Sequence, residues 1–282
     1  MLAVMRLGGK IFTAPPDPEA WVAAHAAENY RAAYCPVSPG TDPATVRAYR
    51  EAADKADLVI AEVGAWSNCL APDEEERRRN VRRNIEAFAL AEEIGAVCCV
   101  NIPGSRNPDQ WNGPHGDNYS DATFQLIVDT VRAIIDTVEP RRSCYCLEMM
   151  GWGIPDSAES YLELIKAVDR AAFGVHFDPV NLVCSPRRYF ANGELIRHTV
   201  RTLGPTIRSV HGKDVTLGGR HLVHLDECRP GTGNLDFDTL FKELSFLSPD
   251  LPFMLEHLPN AEEYKAAATF VRAKADANGV TL

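Results

Sequence analysis

With 282 residues, 29 basic and 39 acidic side chains, a net charge of −10 and 45% hydrophobic content, the chain is neither disordered nor collagen-like and has material for one substantial core. Its acidity disfavours the phosphate backbone of a nucleic acid as partner. No stretch approaches the roughly eighteen apolar residues of a membrane span, and the apolar start Met1–Leu7 is too short for a secretory signal.

Strand-length apolar runs recur along the chain with amphipathic stretches between them. The predicted strands are Ala3–Leu7, Ala33–Val37, Leu58–Val63, Ala96–Ile102, Ser143–Met149, Phe173–Phe177, Ile207–His211 and Pro252–His257. The predicted helices are Glu19–Arg31, Ala44–Lys55, Glu74–Ile94, Asp121–Val138, Ala158–Asp169, Gly193–Leu203, Asp238–Leu247 and Ala261–Ala277. Near-continuous apolar strands suit a parallel sheet covered on both faces. Eight strand–helix units without a composition break, and no Gly-x-Gly-x-x-Gly opening a helix, favour one (β/α)₈ barrel over residues 1–282 rather than a doubly wound sheet. The run from Asp73 to Arg83 is nearly self-neutralising at helical spacing, with Glu74 facing Arg78 and Glu75 facing Arg79, so it reads as a solvated helix face.

Eight cysteines without a Cys-x-x-Cys pair lie mostly in apolar runs, which reads as unpaired, buried thiols in a reducing cytoplasm.

In a (β/α)₈ barrel chemistry sits at the C-terminal ends of the strands. The last four predicted strands each reach a metal-competent side chain there: Glu148, Asp178, His211 and Glu256. With the strand period of two, their faces converge if they point inward. Three carboxylates and one imidazole suit one divalent ion: Mn²⁺ first, with Mg²⁺, Co²⁺ or Zn²⁺ as alternatives.

The segments Leu147-Glu148, Phe177-Asp178-Pro179-Val180-Asn181, Val210-His211-Gly212-Lys213-Asp214 and Leu255-Glu256-His257, with the loop Pro230–Phe237, resemble the xylose isomerase-like barrel superfamily. The resemblance is closest to the branch of ketose 3-epimerases, hydroxypyruvate isomerases and inosose dehydratases. It implies that Glu148, Asp178, His211 and Glu256 bind the metal. It further implies that Glu148 and Glu256 exchange a proton at the carbon beside a carbonyl, through an enediolate. Many members carry histidine three positions after the sixth-strand aspartate; this chain has Asn181, a hydrogen-bond donor that cannot shuttle protons.

His176, on the same strand face as Asp178, is a candidate substitute for that histidine, against the alternative of a hydrogen-bonded core residue. Trp66 is a candidate wall of a sugar pocket, as is Trp152, with plain packing as the alternative. His115, Lys213 and Arg229 complete the candidate substrate contacts. The stretch from Val215 to Leu235 reads as one long loop.

The leading expectation is a metal-dependent isomerase or epimerase of a small sugar or keto-sugar, phosphorylated or not. The alternative is a metal-dependent dehydratase of a keto-inositol or related polyol. An endonuclease IV-like nuclease is less favoured, because that cluster is larger and richer in histidine. A non-catalytic sugar-binding module is disfavoured by the intact quartet. A homo-dimer or homo-tetramer in the cytoplasm, with no membrane or nucleic-acid partner, is the expected assembly.

Overall fold

Along β5 (Cys144–Glu148) successive side chains point to opposite faces of the sheet. Tyr145 and Leu147 join the large core between sheet and helices, whereas Cys144 and Cys146 pack with Cys98 and Val100 in a separate small cluster. β6 (Phe173–Phe177) divides likewise: Phe173, Val175 and Phe177 pack into the large core, leaving Gly174 and His176 on the other face. Glycine is needed at 174, since a Cβ there would stand 2.9 Å from the Cys146 sulfur and 2.6 Å from the Arg208 side chain.

A computed structural model describes residues 3–13 and 15–282. The remaining barrel strands are β1 (Ala3–Gly8), β2 (Ala32–Tyr34), β3 (Val59–Gly64), β4 (Cys98–Asn101) and β7 (Ile207–Gly212), with β10 (Leu251–Leu255) as the eighth. Each pairs in parallel with its neighbours, and the β1–β10 pairing closes the ring into a (β/α)₈ barrel. Around it lie α1 (Pro18–Ala27), α2 (Pro43–Lys55), α3 (Glu74–Ile94), α4 (Asp121–Val138), α5 (Ala158–Val168), the short α6 (Pro186–Phe190), α7 (Asn192–Leu203), α8 (Phe237–Leu244) and α9 (Ala261–Ala277). Four predicted spans match to the residue: β6, α3, α4 and α9. At the head of α3, Glu74 pairs with both Arg77 and Arg78, as a solvated helix face requires.

The stretch from Val215 to Leu235 departs from the expected plain loop. It carries an antiparallel hairpin, β8 (Asp214–Leu217) with β9 (Leu225–Cys228), before the turn into α8. Asp214 fastens its base. One carboxylate oxygen accepts the backbone N–H groups of Val215 and Leu235, and the other those of Gly231 and Gly233. A short strand β11 (Val280–Thr281) adds to the start of β1.

Candidate metal centre and active site

Four strands bring Glu148, Asp178, His211 and Glu256 together at the C-terminal end of the barrel. One donor atom from each lies within 4.8 Å of all the others. Nδ1 of His211 is the hub, at 3.1 Å from both Glu148 Oε1 and Glu256 Oε2 and 3.8 Å from Asp178 Oδ2. Asp178 is aimed by its own loop: its Oδ1 accepts the backbone N–H groups of Val180 and Asn181, leaving Oδ2 for the cluster. Oδ2 of Asp178 and Oε2 of Glu256 are buried without a hydrogen bond of good geometry. Three carboxylates beside one imidazole nitrogen are what a divalent cation takes, so the residues fit such an ion.

Lys213, between β7 and β8, is 2% exposed and thrusts its ammonium into the same cluster. Nζ lies 2.7 Å from Glu256 Oε2, 2.9 Å from Asp178 Oδ2 and 3.4 Å from Glu227 Oε2. Burial alone would lower the Lys213 pKa, but the surrounding carboxylates outweigh it and push the ammonium well above the usual lysine range. Burial likewise raises the carboxyl of Glu148 above its ordinary value, against the opposing pull of His211.

Beneath this layer lies a residue that sequence reading passed over. Glu62, on β3, is 2% exposed and accepts from Nε2 of His176 at 2.9 Å, from Nε2 of His211 at 3.2 Å and from the Ser209 hydroxyl at 3.2 Å. Burial opposes its charge, but the two imidazoles outweigh that and hold its carboxyl well below the usual range. An acid inside the apolar run Val59–Val63 was the available signal, since a buried carboxylate needs partners.

A cavity of about 330 Å³ opens above the cluster, lined by Trp66, Ile102, Trp111, Asn112, Glu148, Met150, Trp152, Asn181, Lys213, Glu227, Glu256 and His257. Both tryptophans singled out from the sequence stand in its wall, and Trp111 adds a third. Buried polar side chains brace the loops that carry them. Asn101 and the backbone of Ser67 exchange two hydrogen bonds, Asn68 and Ser105 exchange two more, and Asn118 donates to the Trp152 carbonyl at 2.9 Å.

Three of the other expected substrate contacts, His176, Arg229 and His115, fall outside the cavity wall. His176 is fully buried under the cluster, held by Glu62, and does not line the cavity. Arg229 turns away to Glu263 on α9, at 2.8 Å, and does not line the cavity. His115 caps the short 3₁₀ turn Gly116–Tyr119 through its ring nitrogen and is also absent from the wall. Asn181 lines the cavity but spends its amide on Glu148, at 3.0 Å from Oε1. His257 and Glu227, not singled out earlier, join the wall as a pair 3.1 Å apart. His257 takes a left-handed backbone, φ 57°, directly after Glu256, a conformation uncommon outside glycine.

The chain belongs to the xylose isomerase-like TIM barrel family, whose model matches residues 21–274. No curated protein matches the sequence significantly. Among solved structures it is similar to a 3-keto-D-glucoside 4-epimerase from E. coli, with 12% identity, TM-score 0.67, and 95% of this chain and 99% of that one covered. It is also similar to a xylose isomerase-like TIM barrel protein from Mycobacterium smegmatis in complex with magnesium, with 15% identity, TM-score 0.67, and 99% and 98% covered. A third is the probable 3-DHS dehydratase from Bacillus anthracis, with 14% identity, TM-score 0.68, and 94% and 97% covered. At such identities these likenesses establish the barrel alone. No helix among the described residues is long and apolar enough to cross a membrane.

Proposed function

We propose that the protein is a divalent-metal-dependent isomerase or epimerase of a small keto-sugar. The observation that carries this reading is the convergence of Glu148 and Glu256, from strands three places apart in the ring, on the same nitrogen of His211. Glu148, Asp178, His211 and Glu256 would hold the ion, with Mn²⁺ the first choice and Mg²⁺, Co²⁺ or Zn²⁺ as alternatives. When bound, the ion polarises a carbonyl and so acidifies the neighbouring C–H. Glu148 then takes the proton from that carbon, and Glu256 returns one from the other side or to the adjacent carbon. Burial favours Glu148 as base because it makes the carboxylate readier to accept a proton.

Trp66, Trp111 and Trp152 give the cavity aromatic faces suited to sugar C–H groups. Lys213 offers its charge to substrate oxygens, but carboxylates already surround it, so the cavity suits a neutral sugar better than a phosphorylated one. In keeping with this reading, a related fold serves a keto-glucoside epimerase. The test is a panel of keto-sugars incubated with Mn²⁺ in D₂O. An isobaric product carrying deuterium beside the carbonyl supports the reading, and exchange on no member of the panel counts against it.

A dehydratase on the same carboxylate pair is the second reading, favoured by His257. Its hydrogen bond with Glu227 raises its pKa despite partial burial, giving an acid on the cavity wall able to protonate a departing hydroxyl. Loss of water from the product mass distinguishes the two.

A further inference from the structure

We propose that Glu62 is a positioning residue for the metal centre: it selects which ring nitrogen of His211 faces the carboxylate cluster. The inference rests on the metal reading above. A neutral imidazole carries one proton, and the nitrogen that meets a cation must offer its lone pair. Nδ1 of His211 faces Glu148, Asp178 and Glu256, so the proton belongs on Nε2. Nε2 meets Glu62 Oε1 at 3.2 Å, and an ionised carboxylate can only accept.

Glu62 is itself held still. Its other oxygen accepts from His176 Nε2 at 2.9 Å and from the Ser209 hydroxyl, so β3 is tied across the barrel to β6 and β7. The two imidazoles clasp it edge to face, with ring centroids 4.0 Å apart. His176 thus acts two steps from the cavity: it fixes Glu62, Glu62 fixes the His211 tautomer, and His211 presents Nδ1. A carboxylate behind a ligating histidine orients the ring and raises its basicity, and its loss typically weakens metal affinity 10- to 100-fold.

The test titrates Mn²⁺ calorimetrically into the wild-type protein and Glu62→Gln, with thermal melting alongside. Because the Gln side chain can accept from only one imidazole where Glu62 accepts from both, affinity should fall roughly 10- to 100-fold at unchanged stoichiometry. Ser209→Ala leaves both imidazole contacts in place and should bind nearly as the wild type does. Should Glu62→Gln fail to fold, ¹⁵N imidazole spectra of the Mg²⁺-loaded wild type decide alone, with the His211 proton expected on Nε2. A proton on Nδ1, or Glu62→Gln melting lower with affinity kept, overturns the assignment. A second ion per chain that disappears in Glu62→Gln also overturns it, because Glu62, His176 and His211 would then be ligands. If the wild type binds no divalent ion, the metal reading falls and this assignment with it.

Discussion

Asn181 donates its side-chain amide to Oε1 of Glu148 across 3.0 Å, the oxygen that also lies 3.1 Å from His211 Nδ1. The amide stands where many members of the superfamily carry histidine, and it steadies the carboxylate without being able to take its proton. A hydrogen bond to a charged group contributes about 1.5–3 kcal/mol. Asn181→Ala should therefore lower kcat/KM by roughly 10- to 100-fold with little change in melting temperature. A fall in melting temperature with kcat/KM preserved would show that the contact serves the fold instead.

Glu256→Gln keeps the side chain's size and removes its basicity. With metal occupancy restored by excess Mn²⁺ and measured alongside rate, turnover should fall by roughly two to four orders of magnitude. Glu148→Gln should behave alike, and the double variant should be little worse than either, because both serve one proton-transfer sequence. Near-normal turnover in a metal-loaded single variant would falsify the two-carboxylate mechanism.

Glu243, on α8, is 3% exposed and takes a two-pronged hydrogen bond from Arg201 on α7, at 2.8 and 2.9 Å. That bond holds its carboxyl below the ordinary value against the opposing effect of burial. A carboxyl lowered by folding stabilises fully above its unfolded pKa, about 4.5, and the contribution is lost as pH falls through the folded value. Because Arg201 is 65% exposed, solvent screens the pair, and Glu243→Gln should cost only about 1 kcal/mol at neutral pH. Urea titrations at pH 7 and pH 3 provide the check: the difference between variant and wild type should shrink in acid, and a constant difference counts against the pairing.

All eight cysteines are unpaired, and Cys184 is the exposed one. Burial pushes the Cys35 thiol up to about 11 and that of Cys69 to about 12, far from the reactive thiolate. Ellman's reagent should find one fast thiol in the native protein and all eight after denaturation. Several fast thiols before unfolding would contradict this packing.

Much of the barrel was legible because its strands are buried on both faces and its helices begin with proline or acidic residues. The ends were less so: the expected strand Ala33–Val37 is Ala32–Tyr34 in the structure, since local pattern does not reveal where the ladder stops. The cluster of Glu148, Asp178, His211 and Glu256 could be read because each ends an apolar run. Glu62 was harder to read because it lies inside the apolar run Val59–Val63 rather than at its end. Arg229 and His115 were placed by chain proximity, which does not show whether a side chain turns inward to the cavity or outward to solvent. The β8–β9 hairpin hid behind polar residues at its exposed strand positions, such as Asp226 and Glu227.

The four backbone N–H groups gathered by Asp214 make the hairpin's base a closed clasp, one residue beyond Lys213 and three beyond His211. The excursion between Gly218 and His224 lies beyond these fastenings, because both of its feet are held before its tip begins. The tip is thus a natural grafting point. Its length and composition can be exchanged while the residues that would carry out the reaction keep their places.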